Sequence, residues 1–187
     1  TITLPTAATV RNLTINNASG VNMSSSTTVT GALNLTAGVF TVPTGNTLTI
    51  AGTVPSPVGT ITATAATSTV ALTNNGFTLN ASLFTTSGTL TNLTNDPGAS
   101  NTNTLNGNFI IGGTMALTSG VLNNGNNTLT FQNGNTPISV TSGTLTMGAS
   151  SNLVFGTIGN LGGSAFTIPA STFTSGPTIT GLTLNRT

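Results

Sequence analysis

The chain has almost no ionisable side chains. Only 2% of its 187 residues are charged, where an ordinary soluble domain has about 25%. The ionisable side chains are Arg11, Asp96 and Arg186, and Lys, Glu, His, Cys, Trp and Tyr are absent. General acid–base catalysis requires a titratable group poised near the working pH. Asp96 is the single candidate, and Asp96-Pro97-Gly98 is typical of a turn. The sequence therefore predicts a protein that is not an enzyme.

Other classes of function are excluded by the same absences. A transition-metal site requires His, Cys or clustered carboxylates, so no metal or cofactor is predicted. A nucleic-acid interface requires a cationic footprint, which two arginines 175 positions apart do not make. No run approaches the roughly 18 apolar residues of a membrane helix, so membrane insertion is not expected. We expect neither a nucleic-acid partner nor a catalytic site.

The most frequent pattern in the sequence is the alternation of Thr with apolar residues. Examples are Thr47-Leu48-Thr49-Ile50, Thr128-Leu129-Thr130-Phe131 and Thr144-Leu145-Thr146-Met147. A period of two indicates strands with one buried face, and Thr is β-branched and favours strands. Hydrophobic residues make up 36% of the chain, which argues against disorder. The sequence predicts an all-β fold in which the aliphatic side chains point inward.

Recurrent corners separate these short strands. Leu35-Thr36-Ala37-Gly38-Val39-Phe40 resembles Leu117-Thr118-Ser119-Gly120-Val121-Leu122, and most glycine spacings lie near multiples of about 16 to 18 positions. A period of about twenty with an inner alternation is the signature of a solenoid. We therefore predict a right-handed parallel β-helix (β-solenoid) whose coils stack at ~4.8 Å. A β-sandwich is the alternative, because Asn-Gly turns such as Asn75-Gly76 are typical of hairpins.

The end of the chain resembles its beginning. Val10-Arg11-Asn12-Leu13-Thr14-Ile15-Asn16 is echoed by Ile179-Thr180-Gly181-Leu182-Thr183-Leu184-Asn185, at an offset of 179 − 10 = 169 positions. We interpret residues 1–187 as a single β-solenoid repeat unit whose end strand, 177–187, restarts the pattern of 8–18. The candidate strands for assembly carry Leu13 and Ile15 at one end and Ile179, Leu182 and Leu184 at the other.

Two interpretations of the outward threonines stay open. Stacked coils would align Thr over Thr, and Asn at the corners would form amide ladders that stabilise stacking. Alternatively, a flat face with regular Thr-x-Thr pairs would make a module that binds ice or glycan. The candidate residues of this array are Thr47, Thr49, Thr128, Thr130, Thr144 and Thr146.

The run from Leu13 to Val21, the run from Thr28 to Phe40 and the closing Leu182-Thr183-Leu184-Asn185-Arg186-Thr187 carry a family resemblance. The chain resembles the repeat regions of very large secreted surface proteins of Bacteroidota-type bacteria. This resemblance implies export, by the type IX route, and a location outside the cell or on the bacterial cell surface. It also implies a role as a surface fibre, adhesin stalk or sheath.

These observations together predict a structural protein of an extracellular filament or cell-surface stalk. Solenoid units would assemble by end-to-end stacking of β-strands, so the expected partners are copies of the same unit, separate or in tandem. A surface-binding module for ice or glycan is the alternative function.

Overall fold

Regular structure in this protein consists almost entirely of short β-strands. The computed structural model describes residues 2–3, 8–133, 135–156, 167–174, 179 and 181–185. The strands are β1 Ile2–Thr3, β2 Ala8–Val10, β3 Leu13–Asn16, β4 Val21–Asn22, β5 Thr27–Val29, β6 Leu33–Ala37, β7 Val39–Thr41, β8 Thr47–Ile50, β9 Thr60–Thr62, β10 Thr69–Leu72, β11 Thr78–Asn80, β12 Thr89–Leu90, β13 Asn92–Asn95, β14 Thr102–Asn106, β15 Phe109–Ile111, β16 Met115–Leu117, β17 Val121–Asn123, β18 Thr128–Phe131, β19 Ile138–Val140, β20 Thr144–Thr146, β21 Asn152–Phe155 and β22 Gly181–Leu184. Two single 3-10 turns lie at Ala81–Leu83 and Ala170–Thr172.

The strands stack into three faces that the chain visits in turn. The first face is a seven-stranded sheet in the order β19-β16-β13-β10-β8-β5-β2. The second face holds the pair β3-β6 and the sheet β11-β14-β17-β20. The third face holds β1-β4-β7-β9 and β12-β15-β18-β21-β22. Seven strands on the first face mark seven coils, and the third face has two further strands, β1 before the first coil and β22 after the seventh.

The two sheets of the third face form one continuous stack. Thr85 donates its backbone N–H to Ile61 (2.9 Å), and Thr91 donates to Ala63 (2.8 Å). The second face is interrupted instead in the third coil, where Val54-Pro55-Ser56-Pro57 replaces a strand. Proline cannot donate to a ladder, so a proline-containing segment breaks the backbone bonding of this face.

Every strand pairing among the described residues is parallel. A sandwich of Greek-key strands requires antiparallel neighbours, so the β-sandwich alternative is wrong. The predicted all-β solenoid is confirmed. Asn-Gly dipeptides such as Asn75-Gly76 turn the chain from one face to the next, not back along a hairpin.

Coil length varies along the solenoid. On the first face, the advance from one coil to the next is 28 − 9 = 19 positions between Thr9 and Thr28, and 139 − 116 = 23 positions between Ala116 and Ser139. The number of residues per coil therefore exceeds the glycine spacing of about 16 to 18 and is close to the predicted period of about twenty. The variation arises because corners of different length connect strands of similar length, and it leaves the ladders in register.

The hydrophobic core fills the space between the three faces. Leu48, Leu79 and Leu129 are fully buried, while the threonines beside them lie at the surface or half-buried. The predicted alternation is therefore confirmed at these strands. Phenylalanines stack along the axis: the rings of Phe131 and Phe155 are 5.1 Å apart and nearly parallel at 14°.

Glycine at one predicted corner is required by close coil contact. Gly38 has φ +77°, and a Cβ added there would collide with the backbone carbonyl oxygen of Asn17 in the preceding coil. Positive φ is strained for residues with a Cβ, so both conformation and space demand glycine. Gly120, the matching corner, also has positive φ (+61°).

Candidate functional site

The six threonines of the predicted array lie on three different faces. Thr47 and Thr49 are on β8 of the first face, and the other two pairs occupy β18 on the third face and β20 on the second face. All six are half-buried. They therefore do not form one array, because Thr-x-Thr recurrence in the sequence does not report which face a strand occupies.

A different set of small residues does align on one face. The outer column of the first face runs through all seven coils and contains Thr9, Thr28, Thr49, Ala71, Thr94, Ala116 and Ser139. Beside it, Thr47, Thr69 and Asn92 share a second column. Rows repeat every ~4.8 Å along the axis, and residues two apart in a strand lie ~6.6 Å apart. Only the register between coils identifies these columns.

Polar side chains at the corners join successive coils. Asn12, Asn92, Asn108 and Asn126 each accept a backbone N–H from the following coil, with donors Ala32 (2.9 Å), Thr114 (2.8 Å), Thr128 (2.8 Å) and Ser150 (3.1 Å). An amide-to-amide bond of the predicted kind links Asn106 Nδ2 to Asn80 Oδ1 at 2.6 Å. Other asparagines donate to the backbone of a neighbouring coil, as Asn127 Nδ2 does to Leu105 O (3.0 Å), so asparagine stabilises stacking mainly through bonds to backbone groups of both kinds.

A buried asparagine pair crosses the core of the fifth coil. Asn103 Nδ2 donates to Asn95 Oδ1 (3.1 Å), and both side chains are fully buried. Asn103 Oδ1 accepts the backbone N–H of Phe77 in the fourth coil (2.9 Å), and Asn95 Nδ2 donates to Ser119 O in the sixth (3.2 Å). No signal in the sequence points to this network, since both asparagines resemble the many surface asparagines.

The charged side chains that the structure describes lie far apart. Arg11 is exposed in the first coil, and Asp96 follows β13 in the fifth coil. Four coils at ~4.8 Å separate them by about 19 Å along the axis. Asp96 Oδ1 accepts a hydrogen bond from Ser119 Oγ at 2.5 Å, which fixes the corner after β13.

The predicted assembly residues lie at both ends, but on different faces. Leu13 and Ile15 belong to β3 on the second face, where β3 is the terminal strand. Leu182 and Leu184 belong to β22, the terminal strand of the third face. Ile179 is half-buried against the core. The sequence match between the two ends therefore relates strands at different positions of the coil.

The structure describes part of the predicted end strand, 177–187, as β22. This strand comprises Gly181–Leu184 and pairs with β21, and residues 177, 178, 180, 186 and 187 lie outside the described residues. Leu182 and Leu184 were predicted to point inward. They stand in register with the buried Leu153 and Phe155, yet they are 51% and 60% exposed. The described residues thus leave these two side chains uncovered.

Other types of site are absent from the part of the chain that the structure describes. There, no three His, Cys, Asp or Glu side chains come together as a metal site requires. The helical segments among the same residues are single 3-10 turns, and neither is long and apolar enough to span a bilayer.

Comparison with protein-family models, with curated proteins and with solved structures finds no match for this chain. Its function is therefore inferred from the geometry of the solenoid and its ends.

Proposed function

We propose that this chain is a structural unit of an extracellular filament or cell-surface stalk. The observation that carries the proposal is the end of the core at β22, which the described residues leave uncovered. Leu182 and Leu184 continue columns of buried residues, and half or more of each side chain is exposed. Covering the exposed part of one such leucine, 51% or 60% of its surface, stabilises an assembly by about 0.8–1.8 kcal/mol. A unit added end to end would cover both leucines and extend the same core.

Backbone groups at the ends support the same function. Among the strands that the structure describes, β22 pairs with β21 alone, and β2 and β3 are terminal strands at the opposite end. A terminal strand presents unpaired N–H and C=O groups, which are a template for another strand. Electrostatic repulsion between stacked units is weak, since the net formal charge of each chain is +1. The extracellular location is part of the proposal and is supported by the resemblance to secreted surface repeats.

Sedimentation velocity and electron microscopy of the purified chain test this function. We expect association that increases with concentration, and rods that lengthen by about 43 Å for each added chain, since nine strands stack at ~4.8 Å on the third face. The double substitution Leu182→Asn and Leu184→Asn should abolish rods. The matched control Thr183→Asn, which changes an outward side chain of the same strand, should preserve them. A chain that stays monomeric at every concentration, with no rods, would contradict the proposal.

A second candidate function is binding to a regular surface such as ice or a glycan. The outer column on the first face favours it, with threonines at positions 9, 28, 49 and 94 of that column. Thermal hysteresis and glycan-array binding of the monomer measure this activity. Thr49→Lys should abolish the activity, while Thr130→Lys on the third face should not. A monomer without hysteresis or glycan binding would eliminate this candidate.

A further inference from the structure

One column of apolar residues runs along the described third face from end to end, and a second column lies beside it. In the first column, each residue is paired in register with the next, except that Phe84 and Phe109 are joined by a contact between their rings. The residues are Ile2, Val21, Phe40, Ile61, Phe84, Phe109, Leu129, Leu153 and Leu182. The second column ends in Ile111, Phe131, Phe155 and Leu184. The third face therefore has a terminal strand at each end of the described solenoid, β1 at one end and β22 at the other.

The sequence at both of these terminal strands has the same alternation; β1 itself comprises Ile2 and Thr3, and Leu4 lies outside the described residues. Ile2-Thr3-Leu4 and Leu182-Thr183-Leu184 share an apolar–Thr–apolar pattern, at an offset of 182 − 2 = 180 positions. Ile2 and Thr3 stand in register with Val21 and Asn22, just as Leu182 and Thr183 stand in register with Leu153 and Val154. On the solenoid, β1 is therefore the counterpart of β22, whereas β3 lies on the second face.

We infer that the free edge of β22 docks the first coil of a second copy of this chain, in the register that pairs Leu182 with Ile2 and Thr183 with Thr3. This inference rests on the proposed end-to-end function and names its partner surface and register. Strand direction agrees, because β1 and β22 both run parallel to their neighbours on the same face.

The chemistry of the β22 edge favours a second copy as the occupant. Its exposed side chains alternate Leu-Thr-Leu, and an added strand with the same alternation would place apolar side chains over Leu182 and Leu184. Its unpaired backbone groups match those of a parallel strand. The charged side chains described, Arg11 and Asp96, are not on the third face, so neither of them lies along this column. The two joined edges differ from one another, so the contact is heterologous and generates an open filament.

Disulfide trapping tests the register directly, since the chain contains no cysteine. Adjacent strands lie ~4.8 Å apart, within the Cα separation that a disulfide spans. One mixture combines Thr183→Cys with Thr3→Cys chains. The competing mixture combines Thr183→Cys with Thr14→Cys chains, the pairing that the sequence match between the two ends would give. A single chain carrying both Val154→Cys and Thr183→Cys is the positive control, because these residues are register partners within one solenoid.

We expect the Thr183–Thr3 mixture to form the mixed disulfide dimer about tenfold faster or more than the Thr183–Thr14 mixture, because docking raises the effective concentration of the paired thiols. Adding Leu182→Asn and Leu184→Asn to the Thr183→Cys chain should remove this advantage. Equal or faster trapping of the Thr183–Thr14 mixture would overturn the inferred register. If rods still form by sedimentation and microscopy, the filament function survives that result. If no rods and no mixed dimers form while the Val154–Thr183 control oxidises, both proposals fail.

Discussion

The buried Asn95–Asn103 pair offers a sharp test of how the coils are held together. Neither side chain is accessible to solvent, and their three hydrogen bonds span the fourth, fifth and sixth coils. Leucine is a natural replacement for both, since Leu72 and Leu117 flank Asn95 in its column and Leu122 is the register partner of Asn103. The perturbation is therefore Asn95→Leu, Asn103→Leu and the double substitution.

The magnitude follows from counting the groups left without partners. Asn103→Leu leaves the buried N–H of Phe77 and Oδ1 of Asn95 without hydrogen-bond partners, at a cost of about 1–3 kcal/mol each. Asn95→Leu leaves Nδ2 of Asn103 and the carbonyl of Ser119 without hydrogen-bond partners. Ser119 is half-buried, so water can replace the lost partner of its carbonyl. The double variant leaves only the N–H of Phe77 and the carbonyl of Ser119 without hydrogen-bond partners. It should therefore cost less than the sum of the two single variants.

Urea unfolding of the four proteins in a double-mutant cycle measures this difference. We expect a coupling of about 1.5–3 kcal/mol, with hydrogen exchange faster in the fourth to sixth coils of each single variant. The exposed pair Asn80–Asn106, at 2.6 Å, is the control and should give a coupling below about 0.5 kcal/mol. Additive costs at Asn95 and Asn103 would refute the argument that unpaired buried groups dominate.

The remaining predictions concern the core, the close coil contacts and the corners. Phe155→Ala removes a fully buried ring and should cost about 3–5 kcal/mol by urea unfolding, while Val58→Ala, at a side chain 80% exposed, should change stability by less than about 0.5 kcal/mol. Gly52→Ala would drive a Cβ into the backbone of the preceding coil and should destabilise the protein more than Gly45→Ala. Gly45→Ala meets no atom within 4 Å and bears only the strain of φ +76°, about 1–2 kcal/mol; equal costs would contradict the close approach. Asn108→Ala leaves one backbone N–H without its acceptor and should cost about 1 kcal/mol, with faster exchange of the Thr128 amide proton as its local signature.

Most of the fold could be predicted because alternation is a local property. The pattern in Thr128-Leu129-Thr130-Phe131 specifies which side chains are buried whatever the strand pairs with. Recurrent glycine corners favoured a solenoid over a sandwich, and the parallel pairings agree. Local chemistry was therefore sufficient for the all-β class, the inward residues and the stacking of coils.

The candidate site depended on register, which the sequence did not determine. Coil length varies even along the first face, so similar motifs fall on different faces. This variation places Thr128 and Thr144 away from Thr49, and it places β22 opposite β1 at the other end of the third face. The buried Asn95–Asn103 bond is likewise invisible locally, because it joins strands of two faces within one coil. Alternation alone decided which side chains point inward, and the tertiary structure decided which of the outward ones meet, because corner length sets how far each strand advances around the coil.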